Sequence, residues 1–148
     1  MDTEATTIII GAGQAGLATA HALMQRGQRC LVLDGGDRIG DGWRHHYDSL
    51  RLYTPAKYSG LPGLPFPGDP WHFPGKDEVA AYLEQYALHF DLPVRMSTRV
   101  DRLEARPEGG YSATIGADTA PPTLAMDAVE KKKSGARISH ATMSSTVA

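Results

Sequence analysis

The first part of the chain alternates short apolar runs with one stretch of helical periodicity. The apolar runs occupy residues 8–10 and 30–33. Between them, apolar residues recur at the spacing of one helix face: Leu17, Ala20, Leu23 and Met24. Gly27 follows, where a left-handed helix cap is favoured. The pattern predicts a strand, a helix and a second strand, the βαβ unit of a parallel sheet.

The turn between the first strand and the helix is rich in glycine. It reads Gly11-Ala12-Gly13-Gln14-Ala15-Gly16. In turns of this spacing the first glycine permits the tight turn, the second lets a pyrophosphate approach the backbone, and the third lets helix and strand pack closely. The helix N-terminus also offers free N–H groups to phosphates. Asp34 ends the second strand, where a carboxylate accepts hydrogen bonds from a ribose diol.

These features together predict a dinucleotide site. A helix start that needs glycine only for packing would explain Gly16, but it would not explain Gly11, Gly13 and Asp34 as well. Because a carboxylate repels a 2′-phosphate, the site is expected to hold the adenosine of FAD or NAD(H) and not that of NADP(H).

The segment that follows Asp34 is irregular. A loop rich in glycine and aspartate occupies residues 35–42, and prolines then recur at positions 55, 62, 65, 67, 70 and 74. So many prolines exclude long helices and central strands. The segment also carries five large aromatic residues: Tyr53, Tyr58, Phe66, Trp71 and Phe73. This aromatic content predicts an ordered excursion packed on the βαβ unit.

Regular periodicity returns after the prolines. Residues 76–90 have the apolar stripe of an amphipathic helix, residues 94–100 alternate like a half-exposed strand, and residues 108–110 are expected to turn a hairpin. From about Gly116 small residues dominate and periodicity is lost. We therefore expect a domain over residues 1–115 and a largely disordered tail over residues 116–148.

Composition adds few constraints. The chain has 148 residues, enough for one domain, and 15 basic against 17 acidic residues, which gives no reason to expect nucleic acid or an anionic membrane as a partner. Cys30 is the single cysteine, and its apolar strand predicts a core position. The acidic start and the absence of a long apolar stretch predict a cytoplasmic protein.

The glycine turn, the end of the second strand and the segment over residues 43–87, taken together, resemble the N-terminal part of FAD-dependent, flavin-containing monooxygenases. The nearest likeness is to the YUCCA-type indole-pyruvate monooxygenases and their bacterial relatives. The matching stretches are GAGQAGLA at 11–18, LVLD at 31–34 and WRHHYDSLRLYTPAKYSGLPGLPFPGDPWHFPGKDEVAAYLEQYA at 43–87. The last is far more specific than the glycine turn, and the likeness covers about residues 5–115. The resemblance implies an α/β fold: an incomplete, Rossmann-like FAD-binding domain with a parallel sheet.

The resemblance also implies which residues bind FAD. The set is Gly11, Ala12, Gly13, Gln14, Ala15 and Gly16 at the pyrophosphate, Asp34 at the adenosine ribose, Trp43 and Arg44 beside the flavin and its ribityl chain, Leu52 and Tyr53 near the isoalloxazine, and Val100 at the adenine. Trp43 as a core aromatic and Arg44 as a surface charge remain alternatives. The histidines at positions 45, 46, 72 and 89 form no metal-ligand or nucleophile pattern.

In the family that the chain resembles, NADPH reduces FAD and one atom of oxygen passes to a small substrate. Such enzymes carry a second glycine-rich unit for NADPH, and residues 101–148 contain none. The resemblance therefore implies the FAD-binding portion of a flavin-dependent, NAD(P)H-using monooxygenase, not fully active as this chain alone, with no catalytic residue identified. A dimer or a separately supplied missing half is an expected partner. A non-catalytic dinucleotide-binding remnant and an NAD(H)-dependent dehydrogenase are the alternatives.

Overall fold

A three-stranded parallel sheet lies at the centre of the fold. The structure, a computed structural model, describes residues 7–107 and 109–116 and the strands at 123–128 and 141–145. β1 (Thr7–Ile10), α1 (Gln14–Gln25) and β2 (Cys30–Leu33) form the predicted βαβ unit, with β1 and β2 parallel. β3 (Val94–Arg95) pairs in parallel with the other side of β2, so the order is β1-β2-β3.

β2 is buried on both faces, as a central parallel strand should be. Cys30 and Val32 belong to a core that includes α1 and the long helix α3 (Lys76–His89). Leu31 and Leu33 pack on the opposite face with Ile8, Val100 and Ile115. Burial raises the pKa of the Cys30 thiol. The expected core role of this cysteine is therefore confirmed.

α1 follows the predicted periodicity with one exchange. Gly27 has a φ of +69° and donates its N–H to the Met24 carbonyl at 2.9 Å, so it caps the helix as expected. Leu17, Ala20 and Leu23 are buried, but Met24 is 37% exposed and His21 is buried in its place. The His21 and Phe90 rings pack with their centroids 4.0 Å apart. This tertiary contact explains why His21, and not Met24, is buried on the inner face of α1.

The proline-rich excursion is ordered, as predicted, but the hydrogen bonds that hold it come from α3, a helix outside the βαβ unit on which it was expected to pack. It contains a single 3₁₀ turn, Ala56–Tyr58, and otherwise follows an irregular path. The Tyr82 hydroxyl accepts a hydrogen bond from the Leu61 N–H at 2.6 Å and donates to the Leu64 carbonyl at 2.7 Å. The Tyr86 hydroxyl donates to the Pro62 carbonyl at 2.7 Å. The pKa of each of these phenols is raised by burial, so the hydroxyls stay protonated donors.

The prediction of one continuous strand over residues 94–100 is wrong. β3 ends at Arg95, and β4 (Val100–Ala105) begins a separate sheet. Between them Ser97 adopts a φ of +50° and donates its N–H to the Gly36 carbonyl at 2.8 Å, while the Thr98 N–H bonds the Asp34 carbonyl at 2.7 Å. The backbone turns here because its partners lie in the loop after β2.

β4 and β5 (Tyr111–Ile115) form the expected antiparallel hairpin. β6 (Thr123–Ala128) and β7 (Ala141–Ser145) extend it to a four-stranded sheet in the order β4-β5-β6-β7. Both added strands fall in the segment expected to be disordered. The rest of residues 117–148 lies outside the described residues, and the domain boundary at residue 115 stays a prediction. Among the helices that the structure describes, none combines the length and apolarity needed to cross a bilayer.

Candidate cofactor site

A cleft of about 400 Å³ opens at the carboxyl ends of β1 and β2. Its walls come from the glycine turn, from Asp34 and from the loop and short helix α2 (Asp41–Arg44) that follow β2. The carboxyl edge of a parallel sheet is where α/β proteins bind nucleotides. The lining residues that carry the argument below are Ala12, Gly13, Gln14, Asp34, Gly42 and Trp43.

Two glycines of the turn are required by the protein itself. Gly11 has a φ of +103°, a conformation that favours glycine, and its N–H bonds the Leu33 carbonyl at 2.8 Å. A Cβ built on Gly16 would lie 1.9 Å from the Gly11 carbonyl oxygen, so no side chain fits there. These two glycines set the turn and the close packing of α1 on β1.

Gly13 is different, because nothing in the protein requires it. Its φ of −79° suits any residue, and a Cβ at this position would meet no heavy atom within 4 Å. The free space in front of it belongs to the cleft. Gly42 is a second such case, since it lines the cleft and a Cβ there would also meet nothing within 4 Å. A ligand that touches the backbone explains both glycines.

The N-terminus of α1 points its donors toward the same space. Gly13 is the N-cap residue, so the amides of the first turn, from Gln14 onward, lack carbonyl partners within the helix. Gln14 and Ala15 are exposed. Backbone N–H groups and the positive end of the helix dipole together form an anion site suited to a pyrophosphate.

Asp34 joins the two walls of the cleft. One carboxylate oxygen accepts the Ala12 N–H at 2.6 Å and the other accepts the Gly36 N–H at 2.8 Å. Because a carboxylate has about four acceptor positions, two remain for a ribose diol. The residue therefore fits both a structural role in the turn and the predicted ligand role.

Trp43 separates this cleft from a smaller one. Its indole N–H donates to the Gln14 side-chain oxygen at 3.3 Å, and both residues line both clefts. The smaller cleft measures about 190 Å³ and is walled by the excursion and α3, with Leu52, Phe66, Tyr82 and Leu83 among its lining residues. The cleft at the turn is the more polar of the two, and the one beyond Trp43 is the more apolar. This arrangement suits an elongated ligand with a charged middle and a flat apolar end.

The walls of the two clefts leave out six of the predicted residues. Gly11, Ala15 and Gly16 belong to the glycine turn itself, and the other three are Arg44, Tyr53 and Val100. The Arg44 guanidinium contacts the Asp41 and Glu84 carboxylates, each at 3.1 Å, and the Ile39 carbonyl at 2.8 Å. Tyr53 is 96% exposed. Val100 packs against Leu31 and Leu33 on the other face of the sheet. A direct role for these three in binding a cofactor stays a prediction.

Several residues at the cleft were missed by sequence reasoning, namely Gly36, Arg38, Ile39, Gly40, Asp41, Gly42, His46, Leu83 and Met96. The glycines could have been predicted, because the loop after β2 must meet the glycine turn at the same edge of the sheet. Leu83 and Met96 could not, because they come from distant segments and nothing in the local sequence places them at this edge. No group of three or more histidine, cysteine or acidic residues suited to a metal ion occurs in the described part of the chain.

Comparison with known proteins identifies the family. Residues 8–119 match the family described as "Pyridine nucleotide-disulphide oxidoreductase". The chain belongs to the pyridine nucleotide-disulphide oxidoreductase family. Within this oxidoreductase family, "Uncharacterized oxidoreductase CzcO-like" from Geobacillus kaustophilus is 46% identical over 101 residues, which are 68% of this chain and 29% of that protein.

Two further relatives of this chain confirm the resemblance to flavin monooxygenases. "Indole-3-pyruvate monooxygenase YUCCA1" from rice, Oryza sativa, is 38% identical over 111 residues, 74% of this chain and 26% of that protein. A solved flavin monooxygenase from Stenotrophomonas maltophilia matches with a TM-score of 0.69 and 34% identity, over 82% of this chain and 35% of that one.

The cofactors expected for these relatives are confirmed, since solved relatives include a flavin monooxygenase and a protein with FAD and NADP bound. The chain spans less than a third of the length of the curated relatives that it matches. Their activities and substrates therefore extend to this chain only as proposals.

Proposed function

We propose that this chain is the FAD-binding portion of a flavin-dependent, NAD(P)H-using monooxygenase. The observation that carries the proposal is the open space in front of Gly13, at the mouth of a cleft that Asp34 and Trp43 also line. Neither packing nor backbone conformation requires a glycine there, whereas the approach of a pyrophosphate does.

The site supports a division of the ligand among its walls. The first turn of α1 would hold the pyrophosphate, the free acceptor positions of Asp34 would take the adenosine ribose, and Trp43 would lie beside the flavin end. The glycine turn and Asp34 favour a dinucleotide, and the relatives favour a flavin. FAD satisfies both requirements, whereas NAD(H) leaves the apolar cleft unexplained.

When bound, the flavin supplies the redox chemistry with NAD(P)H and oxygen. This chain's own residues would bind and orient it and exclude water. The apolar side chains of Leu52, Phe66 and Leu83 around the smaller cleft suit the last task. We also propose a small-molecule substrate and a cytoplasmic location. With a formal net charge of −2, nothing favours nucleic acid.

A second candidate is a cofactor-binding module without turnover. It is favoured by one observation, namely that the chain covers only 26% of the rice monooxygenase and 35% of the Stenotrophomonas structure. In this case a second copy, or a separate chain that supplies the pyridine-nucleotide part, would be needed for activity.

One preparation of the chain tests both candidates. The chain is purified, its bound flavin is identified after denaturation, and NADPH consumption in air is followed with FAD in excess. Bound FAD with NADPH consumption would support the monooxygenase, and bound FAD without it would support the non-catalytic module. A chain that takes up no FAD and binds NADH tightly would contradict the proposal.

A further inference from the structure

One face of α3 holds the wall of the cleft at three points. Lys76, Ala80 and Glu84 follow one another at intervals of four residues, so they share a face of the helix. That face meets the segment from Arg38 to Asp48, which contributes Gly42 and Trp43 to the cleft. Each contact joins α3 to a different part of the segment.

The first contact is a lysine clamp at the end of α2. The Lys76 ammonium donates to the Arg44 carbonyl at 3.1 Å, to the His46 carbonyl at 2.7 Å and to the Asp48 carboxylate at 2.7 Å. Only 12% of its side chain is exposed. A cation in the first turn of its own helix is opposed by the helix dipole, so this lysine does not serve α3 itself. It satisfies carbonyls at the C-terminal end of α2, where a cation is favourable.

The second contact requires the backbone of the segment to come very close. Gly40 has a φ of +88°, and a Cβ there would lie 2.8 Å from the Ala80 backbone and side chain. Ala80 is completely buried. A larger residue at either position would push the start of α2 away from α3 and so displace the wall of the cleft.

The third contact is a carboxylate between two guanidinium groups. Glu84 pairs with Arg38 through both carboxylate oxygens and with Arg44 at 3.1 Å. The Arg44 guanidinium also donates to the Asp41 carboxylate and to the Ile39 carbonyl. The backbone N–H of Arg38 donates to the Asp41 carboxylate at 3.0 Å. These charges join α2 and the loop before it to α3, although Arg38 and Asp41 also line the cleft. The Arg44 and Glu84 side chains are only 21% and 23% exposed, so their pairing is stronger than that of a surface ion pair.

We propose that Lys76 and Glu84, on either side of Ala80, are positioning residues that set FAD affinity by holding Gly42 and Trp43 at the cleft. This inference rests on the proposed function and deepens it. It also gives Arg44 a role through Glu84 and α2 in place of direct contact with the flavin. Because each group lies behind the wall, its loss would displace the wall without removing a ligand contact.

The test uses the fluorescence of Trp43. The chain has two tryptophans, and Trp71→Phe leaves Trp43 as the only one, so quenching of its emission by added FAD reports binding at the cleft. In this background Lys76→Met and Glu84→Gln are compared with the matched controls Lys57→Met and Glu104→Gln, whose charged groups lie on the excursion and on β4. Lys76→Arg is the conservative rescue.

We expect the Kd for FAD to rise roughly tenfold or more in Lys76→Met and Glu84→Gln, with a changed Trp43 emission maximum before FAD is added. The controls and Lys76→Arg should stay near the parent value. Circular dichroism and melting temperature separate this from global unfolding, and the milder Glu84→Gln covers the case in which Lys76→Met does not fold. If Lys76→Met and Glu84→Gln both fold and keep the parent's FAD affinity and Trp43 emission, the positioning role is overturned while the proposed function stands. Absence of FAD binding by the parent would contradict the proposed function as well.

Discussion

Glycines 13 and 16 lie three residues apart and are needed for different reasons. At Gly16 the constraint is internal, because a Cβ would meet the Gly11 carbonyl oxygen at 1.9 Å. At Gly13 the protein imposes none within 4 Å. A single added methyl group therefore separates the folding role of the turn from its proposed binding role.

Gly16→Ala should destabilise the chain by about 1–3 kcal/mol, the typical cost of overpacking, because helix and turn must separate. Gly13→Ala should change stability by less than about 1 kcal/mol, the usual effect at a helix N-cap. Urea unfolding of the two variants side by side measures the difference. Equal losses in the free energy of unfolding would contradict this account, because they would mean that packing also constrains Gly13.

Asp34 serves the turn and, in our proposal, the ligand. Asp34→Ala removes the acceptor for the Ala12 and Gly36 N–H groups, and should weaken binding of ADP by about 1–3 kcal/mol, the usual cost of losing hydrogen bonds to a charged group. Calorimetry with ADP is suitable because ADP carries the adenosine and pyrophosphate without the flavin. Asp37→Ala, in the same loop and outside the cleft lining, is the control. Unchanged ADP affinity in Asp34→Ala would remove the ribose assignment.

At the scale of elements, His72 ties the excursion to the start of α3. Its Nδ1 lies 2.7 Å from the Asp69 carbonyl and its Nε2 lies 2.9 Å from the Glu78 carboxylate. Both partners are acceptors, so only the doubly protonated ring satisfies both. The Asp69 carbonyl, followed by Glu78, raises the pKa of His72. Glu78 also accepts the Gly75 N–H at 2.8 Å, and Arg51 lies near enough to help lower the Glu78 pKa.

Because the folded-state pKa of His72 is raised, its stabilising contribution is complete below the ordinary histidine pKa and is lost as the pH rises through the raised value. The melting temperature of the parent should therefore exceed that of His72→Gln at about pH 6, and the difference should shrink toward about pH 8. His45→Gln, an exposed histidine, is the control. A difference that stays constant or grows with pH would contradict the sign of this linkage.

The elements that sequence reasoning predicted well are those whose signal is local. The βαβ unit, the glycine turn and α3 follow from spacing within a few residues, and Gly27 marks a helix end by its own conformational preference. The break after Arg95 was missed because Ser97 and Thr98 find their partners around Asp34 and Gly36. Long-range contacts of this kind leave no local period.

The same distinction applies to the candidate site. The turn and Asp34 were predicted because each residue has an identifiable task at a fixed position. The resemblance placed Arg44, with Trp43, beside the flavin and its ribityl chain, and this assignment stays a prediction. The Arg44 guanidinium contacts Glu84, which lies on another helix. Charge on a side chain is visible in a sequence, but the direction in which it points depends on the packing of α2 on α3.

At the scale of the whole molecule, the described residues form one candidate nucleotide site, and the chain spans about a quarter to a third of the length of these relatives. The chain with FAD bound should therefore bind NADPH weakly, with a high Kd. NADPH should also reduce the bound flavin far more slowly than dithionite does. Anaerobic stopped-flow absorbance measures both. Rapid, saturable reduction by NADPH would show that this chain forms a pyridine-nucleotide site as well.

The central claim is that the cleft between the glycine turn and Trp43 binds FAD. The most direct measurement compares the equilibrium Kd of the chain for FAD, FMN and NADH, with Gly13→Val in parallel. The account predicts that FAD binds most tightly, since it alone occupies both clefts, and that Gly13→Val loses FAD binding while it remains folded. Tighter binding of NADH than of FAD, or unchanged FAD binding in folded Gly13→Val, would contradict it.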